Sequence, residues 1–378
     1  MSRTFKIACV EGDGIGPEVF AVGRSVLEAL QEAYSLNFDL VPAPMGDRVL
    51  KERGEALPRD SFNRLKECDL CLKGPVGETA KDTVLRIRQE LDLFANLRPA
   101  RNYPFIKSQF IGVDMLIVRE NTEDLYLGKE FEEDGGKKAT AFKIVTEKAS
   151  KRIAKYAFDS AVARSNRRKK QASVVCVQKA NVLKKTDGLF LQCCSDVAKK
   201  FPEVKFSSMY VDSAAMNLIR NPQSFDVMVT SNLYGDILSD EASEVVGGLG
   251  VAPSANIGTD FALFEPVHGS APDIAGRGIA NPLAMIFTIC LMLEWLADTR
   301  DDQHYTRAAE ALEQAVVSVS SAGFMTPDIG GKSKTSEVGK ALCNNLFSPR
   351  RSGGDGYERN LERHMEAWFV REDVSMSW

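Results

Sequence analysis

The sequence lacks the features that mark several protein classes. Its 48 basic and 52 acidic side chains nearly cancel, and a net charge of −4 argues against nucleic acid or a membrane surface as a partner. No apolar run approaches the ~18 residues needed to span a bilayer. No presequence with a basic start and an apolar stretch precedes the first strand pattern, so a cytoplasmic protein is expected.

A zinc-finger arrangement of cysteines is also missing. Cys68 and Cys71 are three residues apart, but no second Cys or His pair follows at zinc-finger spacing. Most of the eight cysteines lie in apolar stretches such as VVCV and CLMLEW. The sequence therefore predicts free, buried, reduced thiols.

What the sequence does contain is an alternation of short apolar strands with helical periods, which predicts an α/β fold. FKIACV, CDLCLKG, GVDMLIV, ASVVCVQ and FDVMVTS are strand patterns. Helical periods occur at 83–92, 147–164, 185–200, 282–297 and 306–322, and a helix starting at residue 81 is expected to end near Phe94. Polar segments at 129–140 and 165–173 are predicted as loops.

Two aspartates stand four residues apart in NLYGDILSDEAS, residues 232–243. A helix would place Asp236 and Asp240 on one face, and Asp212 lies a short way upstream. Oxygen ligands suit a hard cation such as Mg²⁺ or Mn²⁺. Taken alone, the pair is more typical of a solvated acidic helix face.

Three arginines lie at predicted element ends and could bind a di- or tricarboxylate substrate. Arg88 ends a helical stripe that also contains Lys81, Val84 and Leu85, while Arg98 precedes Pro99 and Arg119 follows the strand MLIV. Guanidinium groups bind carboxylates through two parallel hydrogen bonds. Each arginine alone is more typical of a surface salt bridge, and the sequence does not show that the three converge.

Two residues at strand ends are candidates for proton transfer. Tyr126 lies just after the strand that precedes Arg119, and Lys179 lies at the end of VVCVQ. A tyrosine can act as a general acid, and a lysine at a buried strand end can act in proton transfer. Isolated examples of either are more often structural.

Two glycine-rich segments are candidates for nucleotide binding. GDGIGPE at 12–18 joins a strand to a helix, but its spacing is a weak match to a Rossmann motif, and a structural turn is at least as well supported. EPVHGSAPDIAGRGIANP at 265–282 contains His268 and Asp273. Small residues allow close backbone approach, and a carboxylate suits a ribose diol.

These motifs, taken in order, resemble the β-decarboxylating dehydrogenases, which act on isocitrate, homoisocitrate, 3-isopropylmalate, or tartrate and D-malate. The resemblance covers about residue 5 to about residue 343 through GDGIGPE, LFANLRP, VRENTEDLY, KANVL, TDGLF, NLYGDILSDEAS, APSANIG and EPVHGSAPDIAGRGIANP. It implies a two-domain α/β fold with a large mixed sheet, not a Rossmann fold. Residues 1–99 with 251–345 would form a large cofactor-binding domain, and 100–250 a small domain with the metal and catalytic residues and the dimer interface.

The tail, residues 346–378, has no counterpart in this resemblance. Tyr357, Leu361, Met365 and Phe369 form an apolar stripe at helical spacing, with Trp368 beside it. The stripe predicts a terminal helix docked on the body of the protein. An oligomer contact is the alternative.

The resemblance also implies roles for individual residues in a homodimer with shared active sites. Arg88, Arg98 and Arg119 would bind the malate moiety. Tyr126 and Lys179 would be the acid/base pair, aided by Asp212, with Lys179 supplied by the partner subunit. Mg²⁺ or Mn²⁺ would be held by Asp236 and Asp240 with Asp212 from the partner. The cofactor would be bound by Ile15, Glu265, His268, Gly269, Ser270, Ala271, Asp273, Ile274 and Asn281.

The activity implied is NAD-dependent oxidative decarboxylation of a 3-substituted malate. Asp273 followed by Ile274 is similar to the NAD-using members of the family. Val84 and Leu85 favour an alkyl substituent on the substrate. Lys81 could instead reach a third acidic group or point to solvent, and Asp82 and Val84 replace the Ser and Asn that are usual in isocitrate enzymes.

RENTEDLY and TDGLF resemble the isocitrate/homoisocitrate branch, so a tricarboxylate substrate is expected. The alternatives are 3-isopropylmalate and an unusual acidic 3-substituted malate of a specialised pathway. A non-catalytic regulatory subunit is the hypothesis from a different class. It is less expected, because the tyrosine, the lysine and the metal-binding aspartates are all present.

Overall fold

The computed structural model describes residues 3–347, except for the side chain of Lys81. The helix predicted within the tail falls on residues outside this range, from 348 onward. The strands are β1 (Phe5–Val10), β2 (Phe38–Pro42), β3 (Leu70–Lys73), β4 (Ala95–Arg101), β5 (Asp114–Glu120), β6 (Glu130–Glu133), β7 (Lys138–Ala141), β8 (Ser173–Gln178), β9 (Lys205–Tyr210), β10 (Val227–Thr230), β11 (Pro253–Ile257) and β12 (Ala262–Pro266).

Eleven α-helices surround these strands in the described residues. They are α1 (Gly16–Tyr34), α2 (Asp47–Arg53), α3 (Arg59–Glu67), α4 (Lys81–Glu90), α5 (Glu147–Arg168), α6 (Thr186–Ala198), α7 (Val211–Arg220), α8 (Asn232–Val246), α9 (Leu283–Arg300), α10 (Gln303–Ser321) and α11 (Thr335–Leu346). Short 3₁₀ helices at Asp124–Leu127 and Pro272–Ile274 carry further site residues.

Ten strands form one mixed sheet in the order β2-β1-β3-β12-β11-β4-β5-β10-β8-β9. The strands at both ends of this order pair in parallel, whereas β12, β11, β4 and β5 pair antiparallel in the centre. The prediction of a large mixed sheet that is not a Rossmann sheet is confirmed. The division into two domains stays a prediction, because strands from both proposed domains belong to this one sheet.

Apolar strands and one largely apolar helix build the core. All four residues of β10 are buried, as expected for a strand covered on both faces. Residues 283–290 of helix α9 are buried on every side, and the helix packs against α1, α10, β11 and β12. Helix α9 therefore covers one face of the central strands, and the candidate site lies on the opposite face of the sheet.

Three local predictions were wrong. Residues 129–140 were expected to form a loop, but β6 and β7 pair as a hairpin, with the Phe131 and Phe142 rings 5.7 Å apart. Helix α4 ends at Glu90 and not near Phe94, and Asp92 adopts a left-handed φ of 45°. Helix α5 runs four residues into the predicted loop at 165–173 and ends where Lys169 adopts a φ of 55°.

The membrane and cysteine predictions can be compared with the described residues. No helix between residues 3 and 347 is long and apolar enough to cross a membrane. All eight cysteines fall in this range and are free, and seven of them are buried. Cytoplasmic location stays a prediction.

Candidate active site

A row of polar side chains crosses the central strands on one face of the sheet. The register places Asn96 of β4 opposite both Asn256 of β11 and Arg119 of β5. Residues two apart on a strand share a face, so Arg98 joins the row. Asn96 Nδ2 donates to Asn256 Oδ1 at 2.9 Å, Arg98 Nε donates to Asn96 Oδ1 at 2.7 Å, and Asn256 Nδ2 donates to Glu265 Oε1 at 2.8 Å. The arginines are therefore held at fixed positions by buried amides.

Arg119 is fully buried under the first turns of α8. Its register partner on β10 is Thr230, and α8 begins two residues later at Asn232. Arg119 Nε and Nη2 donate to Asn232 Oδ1 at 3.0 and 2.7 Å. A Cβ at Gly235 would lie 2.6 Å from Arg119 Cγ, so this glycine allows α8 to approach closely. Burial lowers the pKa of Arg119 to about 10, which leaves the guanidinium charged near neutral pH.

Asp236 connects Arg119 with Tyr126. Arg119 Nη1 pairs with one carboxylate oxygen of Asp236, and the Tyr126 hydroxyl donates to the other. Burial alone would raise the pKa of Asp236, but the charge of Arg119 and the hydrogen bond from Tyr126 outweigh it, and the pKa falls. Burial and the same hydrogen bond raise the pKa of Tyr126. The phenol therefore keeps its proton near neutral pH.

Asp240 lies one helical turn further along α8, on the same face as Asp236. Its Oδ1 is 3.6 Å from Arg98 Nη1. The Asp236 and Asp240 side chains are 39% and 58% exposed, so both open towards solvent. Partial burial raises the pKa of Asp240. The predicted i, i+4 pair is thus present on a helix, and each carboxylate faces an arginine.

Arg88 reaches the same region from α4. Its Nη2 is 3.4 Å from Glu265 Oε1, and Lys73 Nζ is 2.7 Å from Glu265 Oε2. Burial would raise the pKa of Glu265, but the charges of Lys73 and Arg88 lower it to about 2. Arg88 Nε is buried and has no hydrogen-bond partner among the described residues. One donor of this guanidinium is therefore unused by the protein.

The three predicted substrate arginines converge. Burial lowers the pKa of Arg98, and the nearby charge of Arg88 lowers it further. After Arg119, Arg98 and then Arg88 also depress the pKa of Asp236. The contacts agree, because Arg119 and Arg98 face the two carboxylates of one helix face. Asn96 and Asn256 link Arg98 to Glu265, the carboxylate that pairs with Arg88. The convergence that the sequence left open is thus present in the fold.

Lys179 and Asp212 form a separate pair. The parallel register places Gln178 beside Tyr210, so the residues that follow β8 and β9 are neighbours. Lys179 Nζ bonds to Asp212 Oδ1, and this hydrogen bond lowers the pKa of Asp212. The Asp212 side chain is 63% exposed. Among residues 3–347 of one chain, no hydrogen bond or ion pair joins this pair to Tyr126 or Asp236.

The two predicted cofactor segments, residues 12–18 and 265–282, are in contact through their backbones. Ile15 N donates to Ser270 O at 2.8 Å, and a Cβ at Gly14 would lie 1.9 Å from that oxygen. His268 Nδ1 lies 3.0 Å from Gly269 O, while His268 Nε2 is buried without a partner in the described part of the chain. Burial lowers the pKa of His268, so the ring is neutral near pH 7.

The remaining cofactor candidates differ in how available they are. Asp273 is exposed and Ile274 half-buried on the 3₁₀ helix Pro272–Ile274, next to Ala271, whose φ is 38°. Asn281 is buried, and its amide donates to Asp328 Oδ2 at 2.9 Å and accepts from Leu283 N at 3.0 Å. Asn281 therefore anchors the start of α9. A direct contact between Asn281 and the cofactor stays a prediction.

The model of the isocitrate/isopropylmalate dehydrogenase family matches residues 6–342. The chain belongs to this family. The 3-isopropylmalate dehydrogenase of Sulfurisphaera tokodaii is 49% identical to it over 343 residues, which cover 90% of this chain and 99% of that protein. The homoisocitrate dehydrogenase of Methanocaldococcus jannaschii is 42% identical and covers 90% of this chain and 97% of its own length. The isocitrate dehydrogenase structure from Methylococcus capsulatus has a TM-score of 0.81 at 38% identity, covering 91% of this chain and 100% of that one.

Membership of the isocitrate/isopropylmalate dehydrogenase family makes this chain an enzyme of oxidative decarboxylation. NAD dependence is characteristic of the family, whose members act on small hydroxy acids, generally use NAD or NADP with Mg²⁺ or Mn²⁺, and are often dimers. Four relatives that are 45% to 49% identical are 3-isopropylmalate dehydrogenases, and one that is 46% identical is a 3-isopropylmalate/3-methylmalate dehydrogenase. These comparisons support the alkyl alternative better than the tricarboxylate substrate expected from RENTEDLY and TDGLF.

Several supporting residues of this dehydrogenase site were not predicted from the sequence. Asn232 stands first in the aspartate motif, yet its role depends on Arg119, 113 residues away in the chain. Lys73 at the end of β3 and Asn256 in β11 were also missed. A lone buried asparagine or lysine inside an apolar strand is a usable signal, because burial requires a partner.

The donor set of the dehydrogenase fits a hard divalent cation only in part within one chain. Asp236 and Asp240 offer carboxylate oxygens from one helix face. Within residues 3–347, no three His, Cys, Asp or Glu side chains of a single chain converge as a metal-binding group. A contribution of Asp212 from a second chain to the coordination stays a prediction.

Proposed function

We propose that this dehydrogenase acts on a 3-alkyl malate, with 3-isopropylmalate the best-supported substrate, and uses NAD with Mg²⁺ or Mn²⁺. The observation that carries the proposal is the convergence of Arg88, Arg98 and Arg119, which ion pairs and buried amides hold around the partly exposed Asp236 and Asp240. Three guanidinium groups match the two carboxylates of a malate core. The names of the most similar relatives favour an alkyl group at C3.

The arginines bind and orient the substrate. Arg119 is fixed by Asn232 and remains charged, and Arg88 has an unused buried donor. Arg119 and Arg98 face Asp236 and Asp240 in this structure. A cation bound by the two aspartates would neutralise their negative charge. Both guanidinium groups would then be available to bind substrate carboxylates. Metal and substrate are therefore expected to bind with positive coupling.

Tyr126 and Lys179 handle the protons. Because burial and Asp236 raise the pKa of Tyr126, its hydroxyl holds a proton that can be delivered to C3 after CO₂ leaves. Lys179 would take the proton of the 2-hydroxyl group as part of a relay, in which its ammonium group first passes a proton to the paired Asp212 carboxylate. Metal held by Asp236 and Asp240 would supply Lewis-acid polarisation of the substrate oxygens, and the nicotinamide would supply the hydride acceptor.

The cofactor segment fits an adenine nucleotide. His268 Nε2 is a buried polar atom without a protein partner, and such an atom is expected to meet a ligand or water. The exposed Asp273 carboxylate suits the two hydroxyls of a ribose and would repel a 2′-phosphate. This chemistry supports NAD over NADP.

The complete site is proposed to form between two copies of the chain. Lys179 pairs with Asp212 in one place and Tyr126 with Asp236 in another. Helices α7 and α8, which carry the two aspartates, pack together and expose Ile219 at 63% and Ile237 at 60%. An apolar face of this kind favours burial against a second copy, which would bring Lys179 and Asp212 to the partner's Tyr126.

The C3 substituent is expected to lie against α4. Val84 and Leu85 are half-buried there, one turn or less before Arg88. The side chain of Lys81, which could favour an acidic substituent, lies outside the described part of the structure. A tricarboxylate such as homoisocitrate is the second candidate, favoured by RENTEDLY and TDGLF and by the relative of that name.

A substrate panel tests the proposal. NADH formation is measured with 3-isopropylmalate, homoisocitrate, isocitrate, D-malate and tartrate, each with NAD or NADP and with Mg²⁺ or Mn²⁺. The expected result is the highest kcat/KM for 3-isopropylmalate with NAD. A higher kcat/KM for homoisocitrate or isocitrate would replace the alkyl assignment, and no turnover with any substrate would overturn the activity.

The metal assignment is tested with Asp236→Asn. Titration calorimetry is expected to show loss of Mn²⁺ binding while the fold is retained, and turnover should stop. Asp260→Asn is the matched control, because it removes an exposed carboxylate elsewhere in the chain. Full activity of the EDTA-treated Asp236→Asn protein would contradict the assignment.

Mixed dimers test the shared site. Tyr126→Phe and Lys179→Met chains should each be inactive, but a mixed dimer would contain one doubly altered site and one intact site. Random mixing makes half of the dimers mixed, so roughly a quarter of wild-type activity should return. If no activity returns although mixed dimers form, each chain builds its own site.

A further inference from the structure

A buried lysine outside the proposed chemistry lies between two buried aspartates. Lys143 follows the hairpin and precedes α5, and its side chain is 12% exposed. Its Nζ is 2.8 Å from Asp187 Oδ1 and 3.8 Å from Asp124 Oδ1, and each aspartate side chain is 2% exposed. The same Nζ lies 4.2 Å from the centre of the Tyr234 ring.

Asp187 holds the backbone of the proposed catalytic lysine. Its Oδ2 accepts a hydrogen bond from Lys179 N at 2.7 Å. Asp187 lies in the first turn of α6, so the contact ties the end of β8 to that helix. The position of the Lys179 side chain therefore depends on the orientation of the Asp187 carboxylate.

Asp124 holds the turn that carries the proposed acid. Its Oδ1 accepts from Leu125 N at 2.9 Å, directly before Tyr126, and its Oδ2 accepts from Leu233 N at 3.1 Å in the first turn of α8. Asp124 adopts a left-handed φ of 72°, which a non-glycine residue keeps only when its surroundings enforce it.

Lys143 supplies the charge that both aspartates need. Two buried carboxylates without a cation are costly, because neither is solvated and each repels the other. Asp124 and Asp187 each use one oxygen towards Lys143 and the other towards a backbone N–H. Loss of the ammonium group would therefore favour a rearrangement of both carboxylates.

We propose that Lys143 is a positioning residue of the dehydrogenase: through Asp124 and Asp187 it holds Tyr126 and Lys179 in their reactive placements. The inference rests on the proposed function, because turnover is its readout. It assigns no substrate contact to Lys143.

Lys143→Met tests the proposal, since methionine has a similar length and no charge. We expect kcat to fall by about 100-fold, the loss that a displacement of about 1 Å can cause. The KM for substrate should stay within about threefold of wild type, because substrate binding depends on the three arginines and a lost interaction of the transition state alone lowers kcat. With substrate deuterated at C2, the isotope effect on kcat should rise as chemistry becomes rate-limiting. A smaller fraction of folded enzyme would not change that isotope effect.

Lys155→Met is the matched control. Lys155 also pairs with an aspartate, Asp159, at 2.6 Å, but its side chain is 67% exposed. Its removal should leave kcat, KM and the isotope effect unchanged. Thermal denaturation of both variants establishes that the folded proteins are being compared.

Two more variants decide the matter if Lys143→Met does not fold. Asp187→Asn keeps an oxygen for Lys179 N but removes the charge, and should lower kcat about 10-fold with KM unchanged. The double variant Lys143→Met/Asp187→Asn lacks the ammonium group but keeps only one of the two buried carboxylates, that of Asp124. Its kcat should therefore fall by less than the product of the two single losses.

Wild-type kcat in folded Lys143→Met, or in Asp187→Asn where the former does not fold, would overturn the positioning role. So would a fall in kcat/KM that comes entirely from KM. Absence of turnover in the wild-type enzyme with every substrate of the panel would instead overturn the proposed function, so the two failures are distinguishable.

Discussion

Replacing Glu265 with glutamine removes the negative charge from the most buried ion-pair cluster of the site. The Glu265 carboxylate binds Lys73 Nζ at 2.7 Å, lies 3.4 Å from Arg88 Nη2 and accepts from Asn256 Nδ2 at 2.8 Å. The Lys73 side chain is 3% exposed, so water cannot replace the lost partner. The substitution therefore leaves a buried ammonium group without its counter-charge.

Two routes give the expected magnitude. Breaking a buried pair by removing one partner costs about 3–5 kcal/mol. The fall in the pKa of Glu265 from 4.5 to about 2, caused by Lys73 and Arg88 against the opposing effect of burial, corresponds to about 3 kcal/mol. We expect Glu265→Gln to lower the free energy of unfolding by about 3 kcal/mol at pH 7.

The pH dependence identifies the cause. Because the folded pKa is depressed, the stabilisation is complete above the unfolded value of 4.5 and is lost as the pH falls towards 2. At pH 4 the difference in the free energy of unfolding between wild type and variant should be about 0.8 kcal/mol smaller than at pH 7. Urea unfolding at pH 7 and pH 4, at one protein concentration, measures both values.

Glu90→Gln is the control for this experiment. Glu90 pairs with Arg86 at 2.6 Å, but the two side chains are 40% and 52% exposed, so the loss should be below about 0.5 kcal/mol. A loss below about 1 kcal/mol for Glu265→Gln at pH 7, or one that does not change with pH, would refute the reasoning.

Three further outcomes are expected. Gly14→Ala should weaken NAD binding at least 10-fold in calorimetry, because its Cβ would lie 1.9 Å from Ser270 O at a φ of +59°, where only glycine is comfortable. Leu85→Ala should lower kcat/KM for 3-isopropylmalate about 10- to 200-fold but leave D-malate nearly unchanged, because only the former places an alkyl group against α4. Lys169→Gly should raise the melting temperature by relieving up to about 1 kcal/mol of strain at a φ of 55°.

Each of these three has an outcome that contradicts it. Unchanged NAD affinity in Gly14→Ala would mean that the close contact between Gly14 and Ser270 does not shape the cofactor site. Equal losses for both substrates in Leu85→Ala would place the C3 substituent elsewhere. A lower melting temperature in Lys169→Gly would show that glycine's greater freedom in the unfolded chain outweighs the relieved strain.

Elements with a strong local pattern were predictable from the sequence. FKIACV is β1, from Phe5 to Val10, and the aspartate motif is α8. The hairpin of β6 and β7 was not predictable, because all four residues of β6 are exposed and no apolar alternation marks it. The end of α4 was missed because Asp92, which is not a typical helix terminator, adopts a left-handed conformation.

For the site, the sequence allowed the candidate catalytic and binding residues to be predicted, but not the residues that hold them in position. Arg119 and Asp236 were predicted, yet their contact spans 117 residues of chain. Lys143 gave no sequence signal, and Asp187 entered only as part of the motif TDGLF without a role of its own, because a lysine and an aspartate beside polar residues resemble surface residues. Their meaning depends on burial, which only the folded chain shows.

The unbroken central sheet has a mechanical consequence. Arg88 and Glu265 stand on one side of β4, Arg119 and Asp236 stand on the other, and β4 itself carries Arg98. Hydrogen-bonded ladders join β4 to both neighbours, so the two sides cannot separate as they would at a flexible linker. Any opening of the site must be accommodated by elastic twisting of these ladders. A substrate bound by all three arginines would connect the two sides of β4 and restrict this twisting. The backbone amides of β4 should therefore exchange their hydrogens more slowly once the substrate is bound.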